Sequence, residues 1–172
     1  MRLALRVLSI LFDYPSKEFE SLIREADTVL EALYAENPKI ARHVEKFIRS
    51  VNGEDAEELF VSIFEMPARC SLYLHEYLLK GKEEELGRFL LELKGRYRLR
   101  GFDMDTRKEL PDYLPVVLEF LSLAPDEDLR LFAKRYLAPF LPKLETCLSR
   151  KGGERYVALV KALEELVEPI VK

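Results

Sequence analysis

The chain has 172 residues and a net charge of −4; 48% of the residues are hydrophobic and 34% charged. That length supports one domain with a real core, and the composition is that of an ordinary globular protein rather than a disordered or fibrous one. The negative balance argues against nucleic acid as a partner and slightly favours basic ones, although a charge of this size also serves solubility by itself.

The N-terminal stretch "MRLALRVLSILFDYP" is apolar, but Arg6 splits it and Pro15 soon follows. No small-residue cleavage site comes after it, and it is shorter than the roughly 20 apolar residues a bilayer span needs. It predicts a first core helix, without stable membrane insertion. Ser16 can cap a helix that starts near Lys17. Phe19, Leu22, Ile23, Ala26, Leu30 and Leu33 then recur at helical spacing as one stripe. Ile40, Val44, Phe47, Ile48 and Val51 form the next, which Asn52-Gly53 would end.

"CSLYLHEYLLKG", Cys70 to Gly81, reads as a helix on which Tyr73, Glu76, Tyr77 and Lys80 share a face. Tyrosines at the edge of a core explain that face as simply as a groove wall does. After Gly81 a helix opens on Glu83, Glu84 and Glu85 and closes on Arg96, Arg98 and Arg100 before Gly101, signs that suit the helix dipole. "GFDMDTRKEL", from Gly101, is the longest irregular stretch, and such loops are often functional. The following "PDYLPVVLEFL" predicts a helix that begins near Pro111 or Asp112. Proline is tolerated in a first turn, and a carboxylate there favours the dipole.

Pro139 and Pro142 should kink or divide the segment from Asp126 to Leu148. "SRKGG" separates it from a last stripe of Val157, Val160, Leu163, Val167 and Ile170. No segment alternates with period two, and nothing repeats at a fixed period. The expectation is an all-α fold: a single domain spanning 1–172, with roughly eight or nine helices. Leu86, Phe89, Leu93, Leu118, Leu121, Val160 and Leu163 are expected in its core.

Chemistry is thinly provided. Cys70, Cys147, His43 and His75 are the only thiol or imidazole groups, too scattered for a closed zinc site. A buried cysteine and a surface histidine are the simpler reading. Two cysteines make no disulfide framework and fit a reducing cytoplasm, and neither thiol has a role; serine at both positions should leave binding unchanged. Gly152-Gly153 follows no strand, so no phosphate-cradling loop is present. No serine or cysteine sits in a triad context. Asp103, Asp105, Glu109 and Asp112 could together hold a divalent cation in a small metal-dependent enzyme, against which stands a simple solvated turn. No cofactor and no metal are expected. The absence of glutamine, and asparagine only at Asn37 and Asn52, fit a thermophilic source.

"ELPDYLPVVLEFL" closely resembles the signature of NarJ-type proteins, the delta-subunit chaperones of respiratory nitrate reductase within the TorD/DmsD/NarJ superfamily. The resemblance runs from Phe64 to Pro125. The Leu-Tyr-Leu-x-Glu-Tyr segment, a glycine turn, a long helix ending in Tyr-x-x-x-Gly and the E-x-P-D motif come in the family's order. It implies an all-helical chaperone fold, no catalysis and a cytoplasmic location. The implied partner is the N-terminal leader, often twin-arginine, of a molybdoenzyme catalytic subunit, held until its cofactor is inserted. The motif maps onto Glu109, Pro111 and Asp112, with Tyr113 where many relatives have histidine, and a second recognition segment onto Tyr73, Glu76 and Tyr77. The expected site is thus a stiff helix start presenting carboxylates and a ring beside an apolar groove, on a monomer or homodimer.

Overall fold

Apolar spacing becomes helix almost throughout. The structure, a computed structural model, describes residues 1–51, 53–65, 67, 69–104 and 108–172, without the side chain of Glu54. The first half comprises α1 (Arg2–Leu11), α2 (Lys17–Arg24), α3 (Ala26–Glu36), α4 (Pro38–Ser50) and α5 (Gly53–Phe64). Then come α6 (His75–Leu78), a 3-10 turn (Glu83–Glu85), α7 (Leu86–Leu99), α8 (Leu114–Leu123) and α9 (Asp126–Phe132). A π turn (Ala133–Leu137), α10 (Ala138–Lys151) and α11 (Glu154–Val171) complete the chain. No strand occurs among the described residues, where an isolated bridge joins Tyr73 to Tyr113. The all-α expectation holds.

Several boundaries follow the expected chemistry. Ser16 Oγ accepts the Glu18 N–H at 3.3 Å. Asn37 Oδ1 accepts the N–H groups of Lys39 and Ile40 at 3.0 and 3.2 Å, with Pro38 in the first turn of α4. Gly81 and Gly101 take φ of +80° and +68°, a region glycine enters without a steric cost. The π turn and Pro139 divide the segment after Asp126, as the prolines suggested.

Other boundaries differ. The stripe from Phe19 to Leu33 breaks at Glu25, so that α2 turns Phe19 and Leu22 inward while α3 independently turns Leu30 and Leu33 inward. Gly53 opens α5 rather than closing α4, and Asn52 lies outside the described residues. The stretch from Cys70 to Gly81 is not one helix; only the turn His75–Leu78 is, because Tyr73 pairs with Tyr113 instead. α8 starts at Leu114 with Tyr113 in extended conformation before it, so Pro115 and not Pro111 occupies its first turn. These breaks raise the number of α-helical segments to eleven among the described residues.

α11 lies centrally, packed on α4 and α10, while α8 packs on α1. α8 reads LPVVLEFLSL, apolar nearly all round, which suits a helix with little face toward water. Tyr97, Phe120 and Phe132 join α7, α8 and α9, with ring centroids 4.6 Å apart for the first two and 5.4 Å for the last two. Asp128, fully buried at the start of α9, accepts from Arg100 Nε at 2.6 Å and lies 3.3 Å from Arg96 Nη1, tying α9 back to α7. Of the expected core residues, Phe89, Leu93, Leu118, Leu121, Val160 and Leu163 are buried and Leu86 is only half-buried. Phe89 packs edge-on against Tyr136, with centroids 5.5 Å apart. Phe89→Ala should therefore lower the unfolding free energy by about 3 kcal/mol, near the low end for a buried ring, as read by urea denaturation.

Candidate functional site

The Tyr73–Tyr113 bridge builds the site. The Leu74 N–H donates to the Asp112 carbonyl at 3.1 Å and the Leu114 N–H to the Leu72 carbonyl at 2.8 Å. The chain before α6 and the chain before α8 are thereby pinned side by side. From behind, the buried Tyr97 hydroxyl donates to the Pro111 carbonyl at 2.6 Å, which fixes the loop where Pro111 is buried. The Tyr73 and Tyr113 rings end 5.1 Å apart, tilted by 36°.

Each ring presents its hydroxyl to a carboxylate. Tyr73 donates to Glu109, and Tyr113 donates to Asp13 Oδ1 at 3.1 Å. Burial raises Glu109 and Asp13 above the usual carboxylate range, partly offset by these hydrogen bonds. Burial and the neighbouring acids push both tyrosines well above the usual phenol range. At neutral pH the hydroxyls stay protonated and act as donors.

Asp112 is placed differently from the expectation. It is fully buried, and its Oδ2 accepts the His75 backbone N–H at 2.8 Å and the His75 Nδ1–H at 2.6 Å. His75 is correspondingly no surface histidine; its side chain is 17% exposed. Tyr113 follows Asp112 in the chain, and the imidazole that reaches the carboxylate comes from α6.

Tyr73, Glu76, Tyr77, Glu109 and Tyr113 all line one cleft of about 500 Å³, together with Phe60 and Phe64 of α5, Glu65 and Arg69. Pro111 and Asp112, the other two motif residues, lie buried behind its wall. A second groove, of about 820 Å³, lies on the other side of α6 and shares Glu76 and Tyr77 with the first. The first cleft is the one in which aromatic rings and carboxylates from chain-distant segments converge. Arg69 is its one lining cation among the described residues, set among Glu65, Glu76 and Glu109.

The alternative carboxylate cluster does not assemble. Asp103 borders a separate cavity beside Lys94 and Arg98, Glu109 holds Tyr73, Asp112 holds His75, and Asp105 lies outside the described residues. Among the described residues no group of His, Cys, Asp and Glu side chains could hold a metal ion. The cysteines also depart from the expectation of free thiols. Cys70 and Cys147 form a disulfide with Cα atoms 5.9 Å apart, and both line the cleft. Such bonds are rare inside mesophilic cells but common in intracellular proteins of hyperthermophiles.

Sequence reasoning missed Phe60, Phe64 and the cysteine pair as cleft components, and Asp13 as the partner of the Tyr113 hydroxyl. Asp13 follows α1 by two positions and carries no local signal. Only the packing of α1 on α8 carries it to Tyr113, 100 residues along the chain.

Comparison with known proteins decides the family. The family model described as the nitrate reductase delta subunit matches residues 30–146. The chain belongs to this delta-subunit family. A delta-subunit relative from Bacillus subtilis (strain 168), described as a probable nitrate reductase molybdenum cofactor assembly chaperone NarJ, is 32% identical over 76% of this chain and 71% of its own. The NarJ assembly chaperone of Escherichia coli (strain K12) is 27% identical over 96% of this chain and 70% of its own. A solved structure from Archaeoglobus fulgidus, described as a redox enzyme maturation protein, superposes with a TM-score of 0.70 at 22% identity, covering 98% of this chain and 94% of that one. That likeness establishes a shared fold. These delta-subunit relatives are named assembly chaperones, not catalysts.

Proposed function

We propose that the chain is a cytoplasmic maturation chaperone that holds the N-terminal leader of a nitrate-reductase-like molybdoenzyme catalytic subunit in the cleft, before cofactor insertion and membrane targeting or export. The family supports the class of function, and the cleft supports the mode. The observation that carries it is the convergence of Tyr73, Tyr113, Glu109 and Asp13 at one mouth. Rings offer apolar contact to an amphipathic helix laid in a groove, and carboxylates at the rim suit a basic, twin-arginine segment. No described helix is long and apolar enough to cross a membrane. On this reading the 172 residues form a single folding unit.

Magnitudes divide the labour. Micromolar binding needs about 8 kcal/mol, whereas an exposed ion pair contributes about 0.2–1 kcal/mol. Apolar contact at about 25 cal/mol per Å² therefore supplies most of the affinity, and the acids set selectivity. Calorimetric titration with a peptide of the client's N-terminus should give saturable binding near one peptide per chain. Tyr73→Ala should weaken it about tenfold with little salt dependence, because a half-buried ring is lost. A folded Tyr73→Ala that binds like the parent would remove the cleft from the function.

A further inference from the structure

We propose that the Cys70–Cys147 bond is a thiol-exchange site inside the cleft: a dithiol reductant opens it, the cleft wall loosens, and leader affinity falls. This rests on the leader-binding reading of the cleft given above.

The bond is the covalent tie between two parts of the site. It joins the wall segment at Cys70 to α10 at Cys147 across 77 residues. The far end of the wall is held by the Tyr73–Tyr113 bridge. At the Cys70 end, the Arg69 and Cys70 N–H groups donate to the Ile63 carbonyl at 2.9 and 3.0 Å, which ties the wall to α5. Toward α10 the Cys70 end has the disulfide and one exposed hydrogen bond, from Arg69 Nη1 to the Lys151 carbonyl at 3.1 Å; farther along, Tyr77 packs edge-on against Phe140 and its carbonyl accepts from Lys143 Nζ at 3.0 Å. Opening the bond thus removes the covalent tie from the near end of the wall and leaves that end on hydrogen bonds alone, while the far end stays paired. A wall that must be ordered again on binding costs affinity.

The two sulfurs are unequal. Cys70 is 4% exposed, whereas Cys147 is partly exposed beside the cleft. A dithiol of the thioredoxin type attacks as thiolate at the Cys147 sulfur, forming a mixed disulfide there and expelling Cys70 as thiolate. The reagent's second thiol then displaces Cys147, and the two-electron exchange closes with both cysteines reduced and the reagent oxidised. Because the leader binds the bonded form more tightly, it must favour the bond by the same factor by which the bond strengthens the leader.

The test uses the whole protein, oxidised and reduced by a dithiol, with the client's N-terminal peptide. Calorimetry should find the reduced form still folded and roughly tenfold weaker in binding. Saturating peptide should shift the reduction equilibrium in a dithiol redox buffer by the matching factor. Amide hydrogen exchange at residues 69–74 should quicken on reduction while α11 stays unchanged. The double variant Cys70→Ser with Cys147→Ser should bind like the reduced protein. If that variant does not fold, the reduced parent decides. Equal affinity of folded oxidised and reduced protein, or unchanged exchange at residues 69–74, overturns the proposal and leaves the leader reading intact. No binding by either form overturns the leader reading, and the release step with it.

Discussion

Asp112→Ala should lower the unfolding free energy by about 3 kcal/mol, the scale for leaving buried groups without their charged partner. Asp112 is fully buried, and two donors of His75 meet one of its oxygens. Its other oxygen, Oδ1, is buried and takes no hydrogen bond from the described residues. Removing the carboxylate strands the His75 N–H and imidazole and opens a hole behind the cleft wall. Asp112→Asn is the informative contrast. Its carbonyl oxygen can still face His75 while the amide group takes the place of Oδ1, so the loss should be nearer 1–2 kcal/mol. Thermal and urea unfolding of both variants, with the leader affinity of whatever remains folded, separate stability from recognition. An Asp112→Ala protein as stable as the parent would mean that the His75 contact contributes nothing.

Leader affinity should fall as pH is lowered, and earlier than ordinary surface carboxylates would allow. Asp13 and Glu109 are raised above the usual range, chiefly by burial. A basic leader binds the charged forms, so affinity is full above their raised pKa values in the free protein and is lost as pH falls through them, with proton uptake. The sign for folding is opposite: burial of these two groups favours their protonated forms, so their contribution to stability is present at low pH and is lost as pH rises through the folded values. A bound cation relieves that cost. Asp13→Asn combined with Glu109→Gln should weaken the leader about tenfold at low salt, as expected for two partly desolvated charge-assisted contacts. It should also flatten the pH dependence on the acid side of neutrality. Calorimetry across that range reads both effects. A double variant that keeps the parent's pH profile would show that other groups carry it.

Much of this was legible one segment at a time. Helical spacing marks nearly every element, Ser16 and Asn37 announce helix starts, and two separate aromatic-acid stretches turn out to line one cleft. What could not be read is what depends on distance in space. Asp112 looks like a first-turn carboxylate facing water until Leu114 proves to be the helix start and His75 closes over it. Tyr73 fits a helical face with Tyr77 by spacing alone, yet two backbone hydrogen bonds to the chain around Tyr113 are worth more than one further turn of helix. The cysteines carry no pairing signal in a sequence with only two of them.

The contact between Asp13 and Tyr113 also sets an order of events in synthesis. α1, with Leu5, Leu8 and Leu11 fully buried in the finished fold, leaves the ribosome well before the helix that covers it, α8, which begins only at Leu114. At about 5–20 residues per second, roughly 5–20 s separate the two. Through that interval the nascent chain carries α1 as an uncovered apolar helix, and no truncated product that stops short of Tyr113 can complete the corner where the cleft closes. A molecule proposed to shelter a segment of another chain must first carry an apolar segment of its own unsheltered.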